Sequence, residues 1–367
     1  MFNFIKQTLA IILFEVDKLL KRPNVFSGFL KSFPKGKDWI SVFGGGVEKI
    51  RFNPKNNPTF WVKYRPDGEL QKRRGLETFQ CVSASALNII ETQVDYMSHL
   101  VNNDFKGGEH LSEAEKNEIK YIVNIFTEFG LINEKGQCNA SDRYLAKVSG
   151  TTKRGNTQNK VAEAIRKYGL VPESLYPWPE NVSTWAKYYE PVPKEIIDRG
   201  KEILKYVKFN HEWVNPVYMT RMLEFAPLQT SLYANPPIKN GIYQRTEKPR
   251  NHAVQLDNFK QFEWKGIFDS YIPFDKKMAW NFNFGWGKII TVRKKEIEYN
   301  EIELKKLINR GFKYIIRSRK NGEIYEILPD KLKYISAVDW NNNAVREAAS
   351  KGKLIGISEK DYKNLFK

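Results

Sequence analysis

Cys81-Val-Ser-Ala-Ser-Ala86, followed four residues later by Ile90-Glu91, is the most informative part of the sequence. Apolar residues continue at helical spacing toward Met97, and this spacing predicts a helix that begins near Cys81. The preceding residues, Gly75-Leu-Glu-Thr-Phe-Gln80, are typical of a turn. A cysteine at the start of a helix lies at the positive end of the helix dipole, which favours the thiolate over the thiol. Cys81 is therefore a candidate nucleophile, and a small buried core residue is the alternative interpretation.

A histidine and an aspartate stand on two predicted strands far downstream of this helix. His252 begins the strand Asn251-His-Ala-Val-Gln-Leu256, and Asp269 lies in the next strand, Gly266-Ile-Phe-Asp-Ser-Tyr271. This succession of strands places Asp269 where its carboxylate can orient the imidazole. A nucleophile on a helix, a base on a strand and an orienting acid on the next strand are the parts of an activated cysteine. A lone Cys with a distant His is a weak signal by itself, and a satisfied core histidine is the alternative for His252.

Helical patterns precede strand patterns along the middle of the chain. Ser112 and Glu115 form a capping box that begins a second helix, which ends at Gly130. A third helix spans about 157–168, and strand patterns follow at 228–233, 241–244, 253–258 and 266–271. A further short strand is predicted at 59–64. Helices first and sheet second in one continuous stretch predict an α+β domain.

In this order and spacing, the motifs resemble those of the papain-like cysteine peptidases. The nucleophile helix of that family reads C-W-A-F-S-A followed by I-E, and the residues from Cys81 to Glu91 stand in the same register. The family's H-A-V is similar to His252-Ala-Val254, and its N-S-W is similar to Asp269-Ser-Tyr271. The other similar stretches are Gly155-Asn156 for the Gly-Gly strand of the groove, Tyr168-Gly-Leu-Val-Pro-Glu-Ser-Leu-Tyr176-Pro177 for the G-x-x-x-x-x-x-Y-P step, Pro227-Leu-Gln-Thr-Ser231, and Gly241-Ile-Tyr243. The resemblance covers residues 65–275.

The resemblance implies a papain-like two-lobed domain over residues 65–290, with a helical half and an antiparallel β-sheet or barrel half. An N-terminal helix and irregular extension would occupy 1–64, and a C-terminal α/β appendage 291–367. Apolar residues at helical spacing over 5–20 predict the N-terminal helix, which packs on its own protein or docks to a partner or a membrane surface. In the appendage, Asn321-Gly322 between two strand patterns predicts a β-hairpin, with short helices at about 300–309 and 344–350.

The resemblance also implies roles for individual residues. Cys81, His252 and Asp269 correspond to the catalytic residues, although the family has Asn where this chain has Asp269. A carboxylate beside His252 raises the pKa of the imidazolium and still stabilises the ion pair. The expected substrate groove contains Gly155, Asn156, Asn251 and Tyr271, the last in place of the family's shielding Trp. Gly155-Asn156 would present backbone groups to an extended peptide, and a plain turn is the alternative for that pair.

The family's oxyanion-hole Gln falls on Gly75 in this chain. Gln71, after a short insertion, or Gln80 would replace it, and we favour Gln71, whose amide would act together with the Cys81 N–H. The partner cysteine of the family's local disulfide is also missing. Cys138 is therefore expected to be free and buried. The implied chemistry requires no metal and no organic cofactor.

The predicted function is a cysteine peptidase that hydrolyses peptide bonds of a protein or of a peptidoglycan stem. The residues around Cys81 and the Asp-Ser-Tyr motif are similar to phage-encoded members of the superfamily. That similarity implies other virion proteins as partners, and the virion or the host cytoplasm as the location. A catalytically retired fold that serves as a structural or binding protein of a phage particle is the alternative.

Composition excludes several other classes of function. The 60 Lys and Arg residues against 42 Asp and Glu give a net charge of +18, which suits a nucleic-acid binder. The basic residues are spread along the chain without an aromatic-basic motif, so nucleic-acid binding ranks third, after the peptidase and the structural virion protein. Two cysteines exclude a disulfide framework, and four histidines without H-E-x-x-H do not support a zincin site. The uncharged run at 7–14 is too short for a transmembrane segment, which predicts a soluble protein.

Overall fold

The computed structural model describes residues 28–32, 34, 40–41, 49–73, 75–271, 273–295, 307–309, 311, 314–317, 324–327, 332–336 and 354–357. The chain divides into two compact units, Met1–Lys295 and Glu296–Lys367. The predicted helices at 5–20 and 344–350 lie outside the described residues. The three-part division into 1–64, 65–290 and 291–367 stays a prediction.

A helix that is buried on nearly every side runs through the first unit. This helix, α1 (Cys81–Asn102), begins where the sequence predicts, and 18 of its 22 residues are buried. Most of its polar side chains are buried, and some of them bond to the backbone of their own helix. Ser85 Oγ donates to the Cys81 carbonyl at 2.6 Å, and Thr92 Oγ1 donates to the Asn88 carbonyl at 2.7 Å. These bonds allow a helix with polar residues to occupy the core.

The second and third predicted helices are confirmed, whereas the one at about 300–309 is described only at 307–309. Ser112 and Glu115 form the expected capping box, and Thr157 caps the third predicted helix. None of the helices in the described part of the chain is long and apolar enough to cross a membrane. The helices after α1 are α2 (Glu113–Glu128), α3 (Asp142–Val148), α4 (Gln158–Tyr168), α5 (Trp185–Tyr188), α6 (Lys194–Glu202) and α7 (Met219–Met222), with 3₁₀ turns at Val62–Tyr64, Ile203–Lys205 and Pro216–Tyr218.

Nine strands of the first unit form one sheet in which most neighbours are antiparallel. The strands are β1 (Ile40–Ser41), β4 (Val207–Val214), β5 (Leu228–Leu232), β6 (Ile238–Lys239), β7 (Ile242–Tyr243), β8 (His252–Lys260), β9 (Trp264–Phe268), β10 (Asp275–Ala279) and β11 (Gly287–Lys294). Their order is β1-β4-β11-β5-β8-β9-β10-β7-β6, with parallel pairing only at β1–β4 and β7–β10 among the described residues. A separate antiparallel pair consists of β2 (Lys72–Arg73) and β3 (Leu76–Glu77). The helices and this antiparallel-rich sheet confirm the predicted α+β class.

The predicted strand at 59–64 is wrong, because this segment forms turns that end in the 3₁₀ turn Val62–Tyr64. Its aromatic rings pack around Tyr96 of α1, with the centroids of Phe60 and Tyr64 each 4.8 Å from the Tyr96 ring. Trp61 Nε1 donates to the Leu223 carbonyl at 2.7 Å. Aromatic residues favour strands because they fit a half-buried surface, and here the helix provides that surface instead.

The second unit contains a four-stranded sheet in the order β14-β13-β12-β15. The strands are β12 (Tyr314–Arg317), β13 (Ile324–Ile327), β14 (Leu332–Ser336) and β15 (Leu354–Ile357). β12 and β13 pair antiparallel, which confirms the two strands of the predicted hairpin. β15 pairs with β12 in parallel, and the sequence did not predict this addition.

Candidate active site

Cys81 is the first residue of α1, and its side chain is fully buried. Gln229 on β5 fixes the first turn of the helix, since its Nε2 donates to the Val82 carbonyl at 2.6 Å. The chain enters the helix through Phe79, whose φ of +56° is left-handed. The Phe79 N–H donates to the Glu77 carboxylate at 3.0 Å. The thiol is therefore held at the N-terminus of a long helix, where the dipole favours a negative charge.

His252 and Asp269 lie side by side at the ends of adjacent strands. His252 is the first residue of β8, and Asp269 directly follows β9, which pairs antiparallel with β8. His252 Nε2 is 2.6 Å from Asp269 Oδ1, and both side chains are almost completely buried. The other ring nitrogen, Nδ1, is buried without a nitrogen or oxygen partner among the described residues. The Cys81 side chain is close enough to the imidazole to form a hydrogen bond with it. The structure thus brings the three predicted catalytic residues together.

The charges of this group support one another. Burial lowers the pKa of His252, but the Asp269 and Cys81 charges and hydrogen bonds outweigh burial and raise that pKa to about 10. Burial raises the pKa of Asp269, and the neighbouring His252 and Lys276 cations outweigh burial and hold that pKa below its usual value. The arrangement therefore favours an imidazolium beside the Asp269 carboxylate.

Tyr271 and Gln71 form a hydrogen-bonded group beside His252. The Tyr271 ring centroid is 5.1 Å from that of the imidazole, so Tyr271 lies next to His252. The Tyr271 hydroxyl donates to Glu77 Oε2 at 2.7 Å. Gln71 Nε2 donates to Glu77 Oε1 at 2.9 Å and to the Tyr271 hydroxyl. Glu77, which the sequence analysis missed, connects Gln71 and Tyr271 to the turn that leads into Cys81.

Gln80, the second candidate for the oxyanion hole, points in another direction. Its Oε1 accepts a hydrogen bond from the Tyr188 hydroxyl. Tyr188 belongs to a cluster of buried aromatic residues that includes Trp178 and Tyr189. Gln71, in contrast, donates a hydrogen bond to the hydroxyl group of Tyr271, whose ring lies next to His252. Of the two amides, Gln71 is therefore the one that is linked to His252, through Tyr271.

A segment of the chain itself lies against the thiol. A Cβ added to Gly28 would be only 2.9 Å from Cys81 Sγ. The segment pairs with Asn156, whose N–H donates to the Gly28 carbonyl at 3.0 Å and whose carbonyl accepts from the Leu30 N–H at 2.7 Å. Gly155 permits this approach, because a Cβ there would be 2.0 Å from the Gly28 carbonyl carbon. The backbone predicted to border the groove is therefore occupied by residues 28–30.

Asn251, the remaining predicted groove residue, is buried and supports the strand end. Its Oδ1 accepts from the Ala234 N–H at 2.9 Å, and its own N–H donates to the Leu232 carbonyl at 2.9 Å. These bonds hold the start of β8 against the end of β5, directly before His252. In this structure Asn251 orders the backbone next to the imidazole.

Lys276 is a further residue of this site that the sequence analysis missed. Its Nζ is 2.6 Å from Asp269 Oδ2, and its side chain is only 9% exposed. Lys276 lies on β10, the strand that pairs with β9. The family pattern contains no signal for it, because the family has a neutral Asn at the position of Asp269.

The second cysteine lies outside the site, among buried acids. Cys138 is free and buried, as predicted. Its N–H donates to Asp95 Oδ1 at 2.5 Å, and the Ala140 N–H donates to Glu91 Oε1 at 2.8 Å. Burial raises the pKa of the Cys138 thiol, and the two carboxylates raise it further. Among the residues that the structure describes, no group of three His, Cys, Asp or Glu side chains is arranged to hold a metal ion.

Comparison with known proteins gives matches only among solved structures, since no family model and no curated protein matches the sequence. A cysteine protease from Carica candamarcensis, solved in complex with E-64, is 12% identical over 63% of this chain and 96% of its own, with a TM-score of 0.38. Xylellain, a cysteine protease from Xylella fastidiosa, is 11% identical over 75% of this chain and 98% of its own, with a TM-score of 0.41. A recombinant stem bromelain precursor is 12% identical over 67% of this chain and 75% of its own, with a TM-score of 0.38. All three matches have identities of 12% or less and TM-scores below 0.5.

Proposed function

We propose that this chain is a cysteine peptidase that hydrolyses peptide bonds, with Cys81 as nucleophile, His252 as acid and base, and Asp269 as the orienting carboxylate. The observation that carries the proposal is the buried series of Cys81, His252 and Asp269, in which Asp269 holds one ring nitrogen at 2.6 Å and Cys81 interacts with the imidazole. A helix N-terminus and an imidazolium next to one thiol are the conditions that activate a cysteine.

The chemistry follows from these positions. The Cys81 thiolate attacks the carbonyl carbon, and the negative charge moves to the carbonyl oxygen. His252 gives its proton to the leaving amine as the C–N bond breaks, which leaves a thioester on Cys81. Water then attacks the thioester while His252 accepts a proton, and the thioester C–S bond breaks to release the acid and the thiolate. Asp269 keeps the ring in one orientation throughout.

The oxyanion in both steps would be held by the Cys81 N–H and the Gln71 amide. The N–H groups of the first turn of a helix have no partner within the helix, so the Cys81 N–H can point to the oxyanion. The Gln71 amide donates to Glu77 and Tyr271 in this structure. We infer that one of these two hydrogen bonds is exchanged for the oxyanion when substrate binds.

Substrate must displace residues 28–30, because these residues lie against the thiol and pair with Asn156. The Asn156 N–H and carbonyl would then pair with an extended peptide in the same way, as an added strand. The substrate is therefore a protein or peptide, with a peptidoglycan stem as one candidate. The phage origin and the virion partners expected from the sequence belong to the same proposal.

A structural or binding protein of a phage particle is the second candidate. The complete burial of both Cys81 and His252 favours it. A retired site tolerates this burial, whereas a peptidase must open.

The experiment that separates the two is labelling with iodoacetamide or an epoxysuccinyl probe between pH 4 and 9, with cleavage of a denatured protein measured in parallel. Wild type is compared with Cys81→Ala and His252→Ala, and with Cys138→Ala as the matched control for a buried thiol outside the site. The peptidase predicts labelling of Cys81 below pH 7 that requires His252, and cleavage that requires both residues. Labelling that appears only at the pH of an ordinary thiol and ignores His252 contradicts it.

A further inference from the structure

Each oxygen of the Asp269 carboxylate contacts a different cation. Oδ1 is 2.6 Å from His252 Nε2, and Oδ2 is 2.6 Å from Lys276 Nζ. The exposed fractions of the three side chains are 0% for His252, 1% for Asp269 and 9% for Lys276. A charged lysine loses hydration when it is buried, so its placement here needs the compensation that this carboxylate provides.

A β-hairpin fixes the position of Lys276. Lys276 lies opposite Ile267, because β10 pairs with β9 in antiparallel register. Asp269 follows β9, and its N–H donates to the Phe274 carbonyl at 2.9 Å, which closes the connection between the two strands. Successive side chains of a strand point to opposite faces, so Lys276 reaches Asp269 while its neighbour Lys277 is exposed.

The positive charge of Lys276 opposes the stabilisation of the imidazolium by the Asp269 carboxylate. A neutral Asn can orient an imidazole without adding charge, whereas an unpaired carboxylate strongly stabilises the imidazolium. An imidazolium that is stabilised too strongly is a poor acid for the leaving amine. The other groups that face His252 are Cys81 from α1 and the Tyr271 ring, with Glu77 behind Tyr271. Lys276, beside Asp269, is the one of these described residues besides His252 that carries a positive charge, and this charge opposes that of the carboxylate.

We propose that Lys276 is a positioning residue of this site, which holds the second oxygen of Asp269 and offsets the charge of that carboxylate, so that Asp269 orients His252 with less stabilisation of the imidazolium. The Asp269–Lys276 pair as a whole is neutral and takes the place of an uncharged amide. The role in turnover rests on the proposed peptidase function. The electrostatic coupling of Lys276 to His252 does not depend on it.

The test is a double-mutant cycle of Lys276→Met and Asp269→Asn, with Lys276→Arg as the conservative variant and Lys277→Met as the matched control. Two properties are measured on the full chain: the titration of His252 by NMR of labelled histidine, and the pH profile of Cys81 alkylation. Lys276→Met is expected to move the His252 titration upward by about one pH unit, because a nearby positive charge is lost. Lys276→Arg and Lys277→Met are expected to leave the titration within a few tenths of a unit of wild type.

The cycle supplies the decisive comparison. In the Asp269→Asn background, Lys276 has lost the carboxylate that holds its ammonium group in this buried position. Lys276→Met is therefore expected to have a much smaller effect on the titration there than in wild type. An equal effect in the two backgrounds, or no effect in either, would overturn the proposal. Turnover is a separate readout: where wild type cleaves peptides, Lys276→Met lowers kcat by up to about 10-fold, the factor that corresponds to one pKa unit. A wild-type chain that cleaves nothing but shows the coupling refutes the peptidase and keeps the charge balance.

Discussion

Replacing Gly28 with alanine is expected to open the site and to accelerate alkylation of Cys81. Gly28 has a φ of +99°, which L-residues rarely adopt. A Cβ at this position would be 2.9 Å from Cys81 Sγ and 3.0 Å from the Phe79 carbonyl oxygen. The thiol belongs to the rigid start of α1 and the carbonyl belongs to the backbone, so neither can move away easily. The segment at 28–30 is the part that gives way.

The size of the effect can be worked out from the bonds that hold the segment. Leu30 and Gly28 make the two backbone hydrogen bonds to Asn156, at 2.7 and 3.0 Å. Each contributes about 0.5–1.5 kcal/mol net. A non-glycine residue at positive φ costs about 1–3 kcal/mol before the short contacts are counted. The strain of alanine at position 28 is therefore about as large as the stabilisation by the two hydrogen bonds to Asn156. Since about 1.4 kcal/mol is a factor of ten, the open population should rise about 10- to 100-fold.

The assay is the rate of iodoacetamide alkylation at pH 7, followed separately for the peptides that contain Cys81 and Cys138. A buried thiol reacts through its open state, so the rate follows the population of that state. Cys138 is also buried, and it reports opening of the rest of the fold within the same sample. Gly28→Ala is expected to accelerate the Cys81 reaction about 10- to 100-fold. The Cys138 rate is expected to stay as in wild type.

Gly107→Ala is the matched control. Gly107 has a φ of +89°, and a Cβ there would have nothing within 4 Å. The variant therefore carries similar backbone strain without a contact to the thiol. The reasoning is refuted if Cys81 reacts at the wild-type rate in a folded Gly28→Ala protein. It is equally refuted if Gly107→Ala accelerates Cys81 as much, because loss of overall stability would then be the cause.

Three further predictions concern the oxyanion hole and two buried groups. If Gln71 donates to the oxyanion, Gln71→Leu lowers kcat about 100-fold or more while Gln80→Leu changes it little, and steady-state kinetics that give the reverse order reassign the role. Burial raises the pKa of Asp95 to about 7, so this carboxyl destabilises the fold as pH rises from about 4 to 7. Asp95→Asn should raise Tm by a few degrees at pH 8 and by little at pH 4, and equal shifts would contradict this. The pKa of His252 is raised to about 10, so its contribution to stability is complete below about pH 6.5 and is lost as pH approaches 10. Denaturant titration should find a larger loss of unfolding free energy for His252→Ala at pH 6 than at pH 10.

The start of α1 was predictable because the signals for it are local. A turn-like stretch, a cysteine and a run of apolar residues occur within about twenty positions, and they agree with one another. The pairing of His252 with Asp269 was predictable for a related reason, since a short connection between two strands favours antiparallel neighbours. The hydrogen bond of 2.6 Å is a consequence of that register.

Strands β4 and β11 were not predicted, and each carries a charged side chain at a buried position. Glu212 on β4 and Lys288 on β11 are both fully buried. Glu212 pairs with Lys49, which is 163 positions away in the sequence. Lys288 lies 3.9 Å from the centroid of the Trp213 ring on the neighbouring strand. A charged side chain is expected at the surface unless a buried partner is identified. The partners of Glu212 and Lys288 can be identified only from the fold.

The contact of residues 28–30 with the Cys81 thiol could not be predicted either, because it also depends on residues that are distant in the sequence. Gly28 and Gly155 are separated by more than a hundred positions. The sequence indicated that Gly155 borders the groove, but not that Gly28 lies against it. The contact requires glycine at both positions. A Cβ on Gly155 would lie 2.0 Å from the Gly28 carbonyl carbon, and a Cβ on Gly28 would lie 2.9 Å from the thiol. Two glycines therefore allow three parts of the backbone to meet at Cys81. The sequence signals of the site predicted the groups that would react, whereas the contact that covers them depends on two residues with no side chain and leaves no pattern.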